Sequence, residues 1–119
     1  MITDEEIEKA VDYLRDNANK LSKAKAASIY LDDYSKVVKS QIMREHDNQP
    51  IGKQESIAYA DPRYDRHLKA KRIADEEYEY LRWMMEAAQA KIDVWRTQSS
   101  NNRKGIWSPE LRLDIEALS

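Results

Sequence analysis

Apolar side chains recur at alternating intervals of three and four residues along two long stretches of this sequence. The first stretch runs from position 7 to 42 and the second from 64 to 95. Because this spacing brings such side chains to one stripe of an α-helix, each stretch is expected to form a long helix with a narrow apolar seam. Two such helices bury their seams by pairing. We therefore predict an all-α fold built on a long antiparallel, coiled-coil-like helical hairpin.

The two seams differ in regularity. The second keeps its spacing throughout but is polar along its first half and apolar along its second. The first slips once in the segment 20–27, where we expect a local change of winding or a bend. The expected first seam is Ile7, Val11, Leu14, Ala18, Leu21, Ala27, Leu31, Tyr34, Val38 and Ile42. The expected second seam is Tyr64, His67, Lys71, Ala74, Tyr78, Leu81, Met85, Ala88, Ile92 and Trp95.

A capping box marks the start of the first helix. Thr3 and Glu6 are three residues apart, so each side chain can accept a hydrogen bond from a backbone N–H of the first turn. The helix is therefore expected over about residues 4–46. Pro50, which cannot continue a helix, marks the turn that is expected over about 47–61.

Further signals lie in the turn segment. Gly52 readily adopts the backbone conformations that turns require, and a short helical turn is expected over about 54–60. Asp61 is a preferred N-cap, and Pro62 suits the first helical position because no intrahelical hydrogen bond is lost there. The second long helix is therefore expected over about 62–98.

The C-terminal segment, 99–119, begins with four poor helix formers and contains Gly105, so the second helix is expected to end near its start. Ser108 and Pro109 repeat the cap-and-proline pattern and predict a short terminal helix. A chain of 119 residues has the length of one ordinary domain. We therefore expect a single helical domain.

Composition narrows the functional classes. The absence of cysteine excludes disulfides and thiolate metal sites, and two glycines are too few for a phosphate-binding glycine loop. With 20 basic and 22 acidic residues, the chain has no overall field that would attract nucleic acid or an anionic membrane. No apolar run approaches the roughly 18 residues of a membrane span, and the acidic N-terminus lacks signal-peptide features. We expect a cytoplasmic protein without membrane association.

Titratable side chains form no catalytic or metal-binding pattern. His46 and His67 lack the spacing of zinc proteases and of di-iron bundles, and His46 is better explained by its favourable position at a helix C-terminus. Glu76 and Glu77 are expected on a solvated face, because a catalytic carboxylate pair needs burial to separate its pKa values. We therefore expect no enzyme activity, no cofactor and no metal.

Apolar residues outside the seams predict association. Helices that pair along one narrow seam leave such residues wet, so we expect a homo-oligomer, with a dimer of hairpins forming a four-helix bundle favoured. The alternative is a monomer in which the segment 107–118 folds back as a third helix. The residues concerned are Ile29, Tyr30, Val37, Met43, Ile73, Tyr80, Trp83 and Met84. Because aromatic residues and methionine are enriched at interfaces, the expected contact patch is Tyr78, Tyr80, Trp83 and Met84.

A second group of residues has the chemistry of a single-stranded nucleic-acid site. Aromatic rings can stack on bases and cations can contact phosphates, and the candidates are Trp95, Arg96, Arg103, Lys104 and Trp107. The structural interpretation of the same residues places Trp95 in the seam and Trp107 as an anchor of the last segment, with the two cations at a helix C-terminus. Direct binding of single-stranded DNA is therefore the alternative function.

Four segments carry a resemblance: AVDYLRDNA at 10–18, IMREH at 42–46, AYADPRY at 58–64, and AAQAKI at 87–92 with Trp95–Arg96. Through them the chain resembles a group of small helical proteins encoded in bacteriophage and prophage genomes. The resemblance implies an early-region accessory protein that acts in the bacterial cytoplasm on host or phage DNA-processing machinery. It supplies no catalytic residues and does not extend beyond Gln98. The expected function is a non-enzymatic protein-interaction module.

Overall fold

The computed structural model describes residues 1–103, which form three α-helices and contain no strand within that range. Helix α1 spans Asp4–Glu45, α2 spans Ile51–Ala60, and α3 spans Pro62–Arg103. This confirms the all-helical prediction. The short terminal helix expected from Ser108 and Pro109 onward lies outside the described residues.

Two compact units make up the chain. The first unit combines Met1–Asn17 with α3 from Trp83 onward, and the second unit comprises Ala18–Arg82. In the first unit Ile2 is hydrogen-bonded to Gln98 and Asp4 to Trp95. In the second unit Ser28 is hydrogen-bonded to Asp75 and Leu31 to His67, so the position on α3 falls as the position on α1 rises. In each unit α1 and α3 therefore run antiparallel, which confirms the helical hairpin.

The capping box forms as predicted at the start of α1. The Thr3 N–H donates to Glu6 Oε2 at 3.0 Å, and the Glu6 N–H donates to Thr3 Oγ1 at 3.2 Å. Asp4 and Glu5 add further negative charge to the first turn, where the helix dipole favours it. Local sequence therefore fixes this helix end.

The segment predicted as a turn contains α2, which is longer than the short helical stretch expected there. Pro50 is the N-cap of α2, and its carbonyl accepts hydrogen bonds from the N–H groups of Lys53 and Gln54 at 3.0 and 2.9 Å. The proline thus precedes the helix and interrupts nothing. Gly52 lies inside α2, so its assignment as a turn residue is wrong.

Helix α3 begins where the sequence predicts and continues beyond its predicted end. Asp61 Oδ1 accepts a hydrogen bond from the Arg63 N–H at 2.8 Å, which confirms Asp61 as the N-cap. The helix continues through residues 99–103, although the helix propensities of 99–102 are poor. Those propensities differ from alanine's by only about 0.7 kcal/mol per residue or less, and residues 99–101 are partly buried, so tertiary contacts outweigh them.

The first unit has one apolar core. Ile7 and Ala10 of α1 are buried against Ala88 and Ile92 of α3. Four partly buried side chains pack around this cluster, namely Ile2, Tyr13, Leu14 and Trp95. The seam predicted for this part of α3 is therefore confirmed.

The second unit centres on α2. Ala58 is fully buried against Val38 and Ile42 of α1, and Ile42 is only 1% exposed. Met43, Ile57 and Tyr64 pack around this cluster. A small side chain on α2 thus lets its backbone approach α1 closely.

Burial along α1 corrects the predicted first seam. Val11, Ala18 and Ala27 are exposed, and Tyr34 is at the margin of exposure. The inward positions keep the three-and-four spacing without a slip, so the predicted slip is wrong. They are Ile7, Ala10, Leu14, Asn17, Leu21, Ala24, Ser28, Leu31, Ser35, Val38 and Ile42. Small and polar side chains fill much of this seam, and a search for large apolar residues passes over them.

Candidate interaction surface

The predicted contact patch divides between a seam and an exposed face. Tyr78 is half-buried in the α3 seam of the second unit, whereas Tyr80 is exposed. In the first unit Trp83 is 59% exposed, and Met84 is also exposed. Three of the four predicted residues are therefore accessible, and Tyr78 serves the hairpin itself.

An apolar stripe lies on the solvent-exposed face of α3 in the first unit. Its members, Trp83, Ala87, Ala90 and Val94, are spaced by four, three and four residues and are all exposed, with Val94 49% exposed. We call these four residues the outer stripe. Their spacing is that of a second helix-packing seam on the same helix. The sequence prediction included Trp83 and missed the two alanines and the valine. Their helical spacing from Trp83 could have identified them.

Charged residues flank the outer stripe unequally. Glu86 and Asp93 follow one edge of the stripe, and Met84 and Lys91 follow the other. Edge residues of this kind form the ion pairs that select the partner and orientation of packed helices. The outer stripe therefore has one acidic edge and one edge with a basic residue.

A shallow groove adjoins the outer stripe in the first unit. It encloses about 240 Å³ and is lined by apolar side chains of both helices, including Ala10, Tyr13 and Met84. The alanines Ala87 and Ala88 complete its apolar lining. The charged residues around it are Glu6, Lys9 and Lys91. The exposed apolar surface of this unit thus extends from α3 toward α1.

In the second unit, exposed apolar residues also occur as predicted. Ile29, Tyr30, Val37 and Ile73 are exposed, whereas Met43 is half-buried beside the core. The rings of Tyr30 and Tyr34 stack with their centroids 5.7 Å apart. The centroids of the Tyr34 and His67 rings are 5.6 Å apart. These side chains partly cover one another.

Polar contacts hold α1 to α3 in the second unit. The Ser28 hydroxyl of α1 donates to Asp75 of α3, and within α3 Lys71 Nζ donates to the other oxygen of Asp75 at 2.5 Å. These hydrogen bonds, from Lys71 first, keep the pKa of Asp75 below its ordinary value, and the same contact raises the pKa of Lys71. The buried His67 donates from Nε2 to the Leu31 carbonyl at 2.6 Å. This seam is therefore partly polar.

A guanidinium clamp joins the end of α1 to the start of α3. Arg63 donates to both oxygens of Glu45 at 2.8 and 2.6 Å and to both oxygens of Asp61 at 3.1 and 3.0 Å. Hydrogen bonds from Arg63 lower the pKa of Asp61 to about 2 and lower the pKa of Glu45. The two carboxylates also raise the pKa of Arg63. This bidentate geometry fixes the corner around α2.

The nucleic-acid candidates do not form a stacking surface in the described part of the chain. Trp95 packs against the core of the first unit, and its indole N–H donates to Asp4 Oδ1 at 3.3 Å. Arg96 Nη1 lies 3.9 Å from Asp93 Oδ1, and Arg103 is exposed at the end of α3. The other two candidates, Lys104 and Trp107, lie outside the described residues. Carboxylates therefore lie beside both Trp95 and Arg96.

Within residues 1–103, no group of three or more His, Asp or Glu side chains could hold a metal ion. None of the helices in that range is both long and apolar enough to cross a membrane. Comparisons with protein-family models, curated proteins and solved structures gave no significant match.

Proposed function

We propose that this chain is a non-enzymatic protein-interaction module whose helical hairpin self-associates, most simply as a homodimer. The observation that carries the proposal is the outer stripe. Exposed apolar side chains at this spacing gain about 25 cal/mol for each Å² that a partner covers. Trp83 is the residue type most often found at the energetic centre of an interface. A second helix is the natural partner for a stripe with helical periodicity.

We propose a further protein partner, other than a second copy of the chain, from the resemblance described above. It favours an accessory protein of a bacteriophage or prophage that engages host or phage DNA-processing machinery in the bacterial cytoplasm. The side of the groove formed by α1, with Ala10 and Tyr13, offers additional apolar surface for such a protein, and Lys9 beside it favours acidic side chains.

Direct binding of single-stranded DNA has less support. A ring that stacks on a base needs an accessible face, and Trp95 is partly buried against the core of the first unit, with its indole N–H donating to Asp4. Asp93, beside Arg96, would repel a phosphate. Protein recognition therefore accounts for more of the described surface than nucleic-acid recognition does.

Light scattering coupled to size-exclusion chromatography tests the self-association. The expected mass is twice the 14.0 kDa of the chain at micromolar concentrations and falls on dilution. A mass that stays at 14.0 kDa at all concentrations contradicts the homodimer.

A pull-down from infected or lysogenic cells, with and without nuclease, tests for the further partner. A protein that is retained after nuclease treatment supports direct protein recognition. Loss of all partners with nuclease, together with oligonucleotide binding that weakens as salt rises, would favour the nucleic-acid alternative.

A further inference from the structure

We infer that two copies of this chain pair α3 with α3 in a parallel orientation through the outer stripe. This pairing rests on the self-association proposed above. It specifies that the outer stripe is the contact, that a second copy covers it, and that the two helices run in the same direction. We infer a second copy as the partner because the stripe and charged edges of one chain are complementary to those of another copy. A two-fold axis parallel to the helices brings each surface against its own equivalent.

Side-chain size suits this pairing. In a parallel pair, each member of the outer stripe lies level with the same residue of the second copy. Ala87 and Ala90 are small and allow the two backbones to approach closely, and Val94 is a β-branched residue that favours two-stranded packing. From Ala87 to Val94 the stripe therefore presents only small or β-branched side chains to the second copy.

The charged edges determine the direction. In a parallel pair the acidic edge of one helix faces the opposite edge of the other, so Glu86 lies beside Lys91 of the second copy, and the pair occurs twice by symmetry. In an antiparallel pair like edges meet, and Glu86 and Asp93 face the same carboxylates of the second copy. The unequal edges therefore favour the parallel arrangement.

Cysteine scanning tests the direction, since the chain has no cysteine of its own. Ala87→Cys and Val94→Cys are made separately and oxidised under mild conditions. The two positions are about 10 Å apart along the helix, and a disulfide needs Cα atoms within about 7 Å of each other. We expect both variants to form disulfide-linked dimers. In an antiparallel pair at most one of these positions lies near the axis, so crosslinking of only one or neither overturns the parallel arrangement.

Charge reversal tests the edges. Glu86→Lys and Lys91→Glu each place like charges opposite one another and are expected to weaken the dimer about 10-fold by sedimentation equilibrium at low salt. The double variant Glu86→Lys/Lys91→Glu restores opposite charges and is expected to return within about threefold of the parent. A stronger dimer for Glu86→Lys alone overturns the inference, because that result indicates relief of repulsion between like edges.

Trp83→Ala tests the surface, with Tyr30→Ala as the matched control. Tyr30 is an aromatic residue of similar exposure, 63%, that lies on α1 outside the stripe. We expect Trp83→Ala to weaken the dimer at least about 30-fold and Tyr30→Ala to leave it nearly unchanged, both with parental helix content by circular dichroism. A parent that is monomeric throughout refutes the proposed self-association and this inference together. A parent dimer unaffected by Trp83→Ala refutes the inference alone.

Discussion

At the scale of single residues, Gly52 lies in the first turn of α2, and a Cβ added to it would meet no heavy atom within 4 Å. Its backbone is helical, so no turn conformation requires glycine here. We expect Gly52→Ala to raise the free energy of unfolding by about 0.4–1 kcal/mol, because alanine restricts the unfolded chain more than glycine does. Urea denaturation measures the change. A destabilised variant would show that this position needs glycine.

Arg63 gives the chain a measurable response to acid. The pKa values of Asp61 and Glu45 lie below their ordinary values of 3.8 and 4.5, and that of Asp61 is about 2. A carboxylate whose pKa is lowered by folding stabilises the fold at pH values above its pKa in the unfolded chain. This contribution is lost as the pH falls through the folded pKa. We therefore expect Arg63→Gln to be less stable than the parent above about pH 5, with a difference that narrows toward pH 2.

Thermal unfolding from pH 7 to pH 2 measures that difference for Arg63→Gln. Arg72→Gln is the control, because it removes an exposed ion pair with Glu76 within α3 only. A difference that is constant with pH would show that the carboxylates of Asp61 and Glu45 are not what Arg63 stabilises.

At the scale of helices, α2 is attached through the fully buried Ala58, which packs against Ile42 and Val38. Ile42→Ala is expected to lower the free energy of unfolding by about 2–5 kcal/mol, through lost burial and the cavity left behind. Ile29→Ala makes the same substitution at an exposed site of α1 and should change stability by about 0.5 kcal/mol or less. Chemical denaturation of both variants tests this. Equal effects would contradict the assigned core.

His67, in the partly polar seam of the second unit, contributes both packing and a hydrogen bond to stability. Its ring is buried and bonded to the Leu31 carbonyl. His67→Ala removes both packing and the hydrogen bond and should cost about 1–3 kcal/mol. His67→Leu restores packing volume and is expected to be closer to the parent, since the Leu31 carbonyl lies inside α1 and still accepts its intrahelical hydrogen bond. Equal losses in urea denaturation would instead give the hydrogen bond the larger role.

At the scale of the whole molecule, self-association links stability to concentration. A dimer that dissociates on unfolding is stabilised by mass action, so its melting temperature rises with protein concentration. We expect this rise for the parent and its absence for Trp83→Ala over the same range, measured by scanning calorimetry. A parent melting temperature that does not depend on concentration contradicts the proposed homodimer.

Local signals made much of the fold predictable. The Thr3–Glu6 capping box and the Asp61 N-cap act over two or three residues, so their effect does not depend on distant parts of the chain. The second seam was predictable for a related reason. Its ten positions are all buried or half-buried, because regular spacing along one helix defines a face whatever that face meets.

The sequence by itself therefore determined the two long helices, their N-terminal caps and the inward face of α3. Only the tertiary structure decided the inward face of α1, where Ala10, Asn17 and Ala24 replace larger apolar residues, because the fit depends on what α3 presents opposite them. It also decided the helical state of Gly52, through the docking of α2 by Ala58. Propensity and spacing act within one segment of chain, whereas packing joins segments that are far apart in sequence.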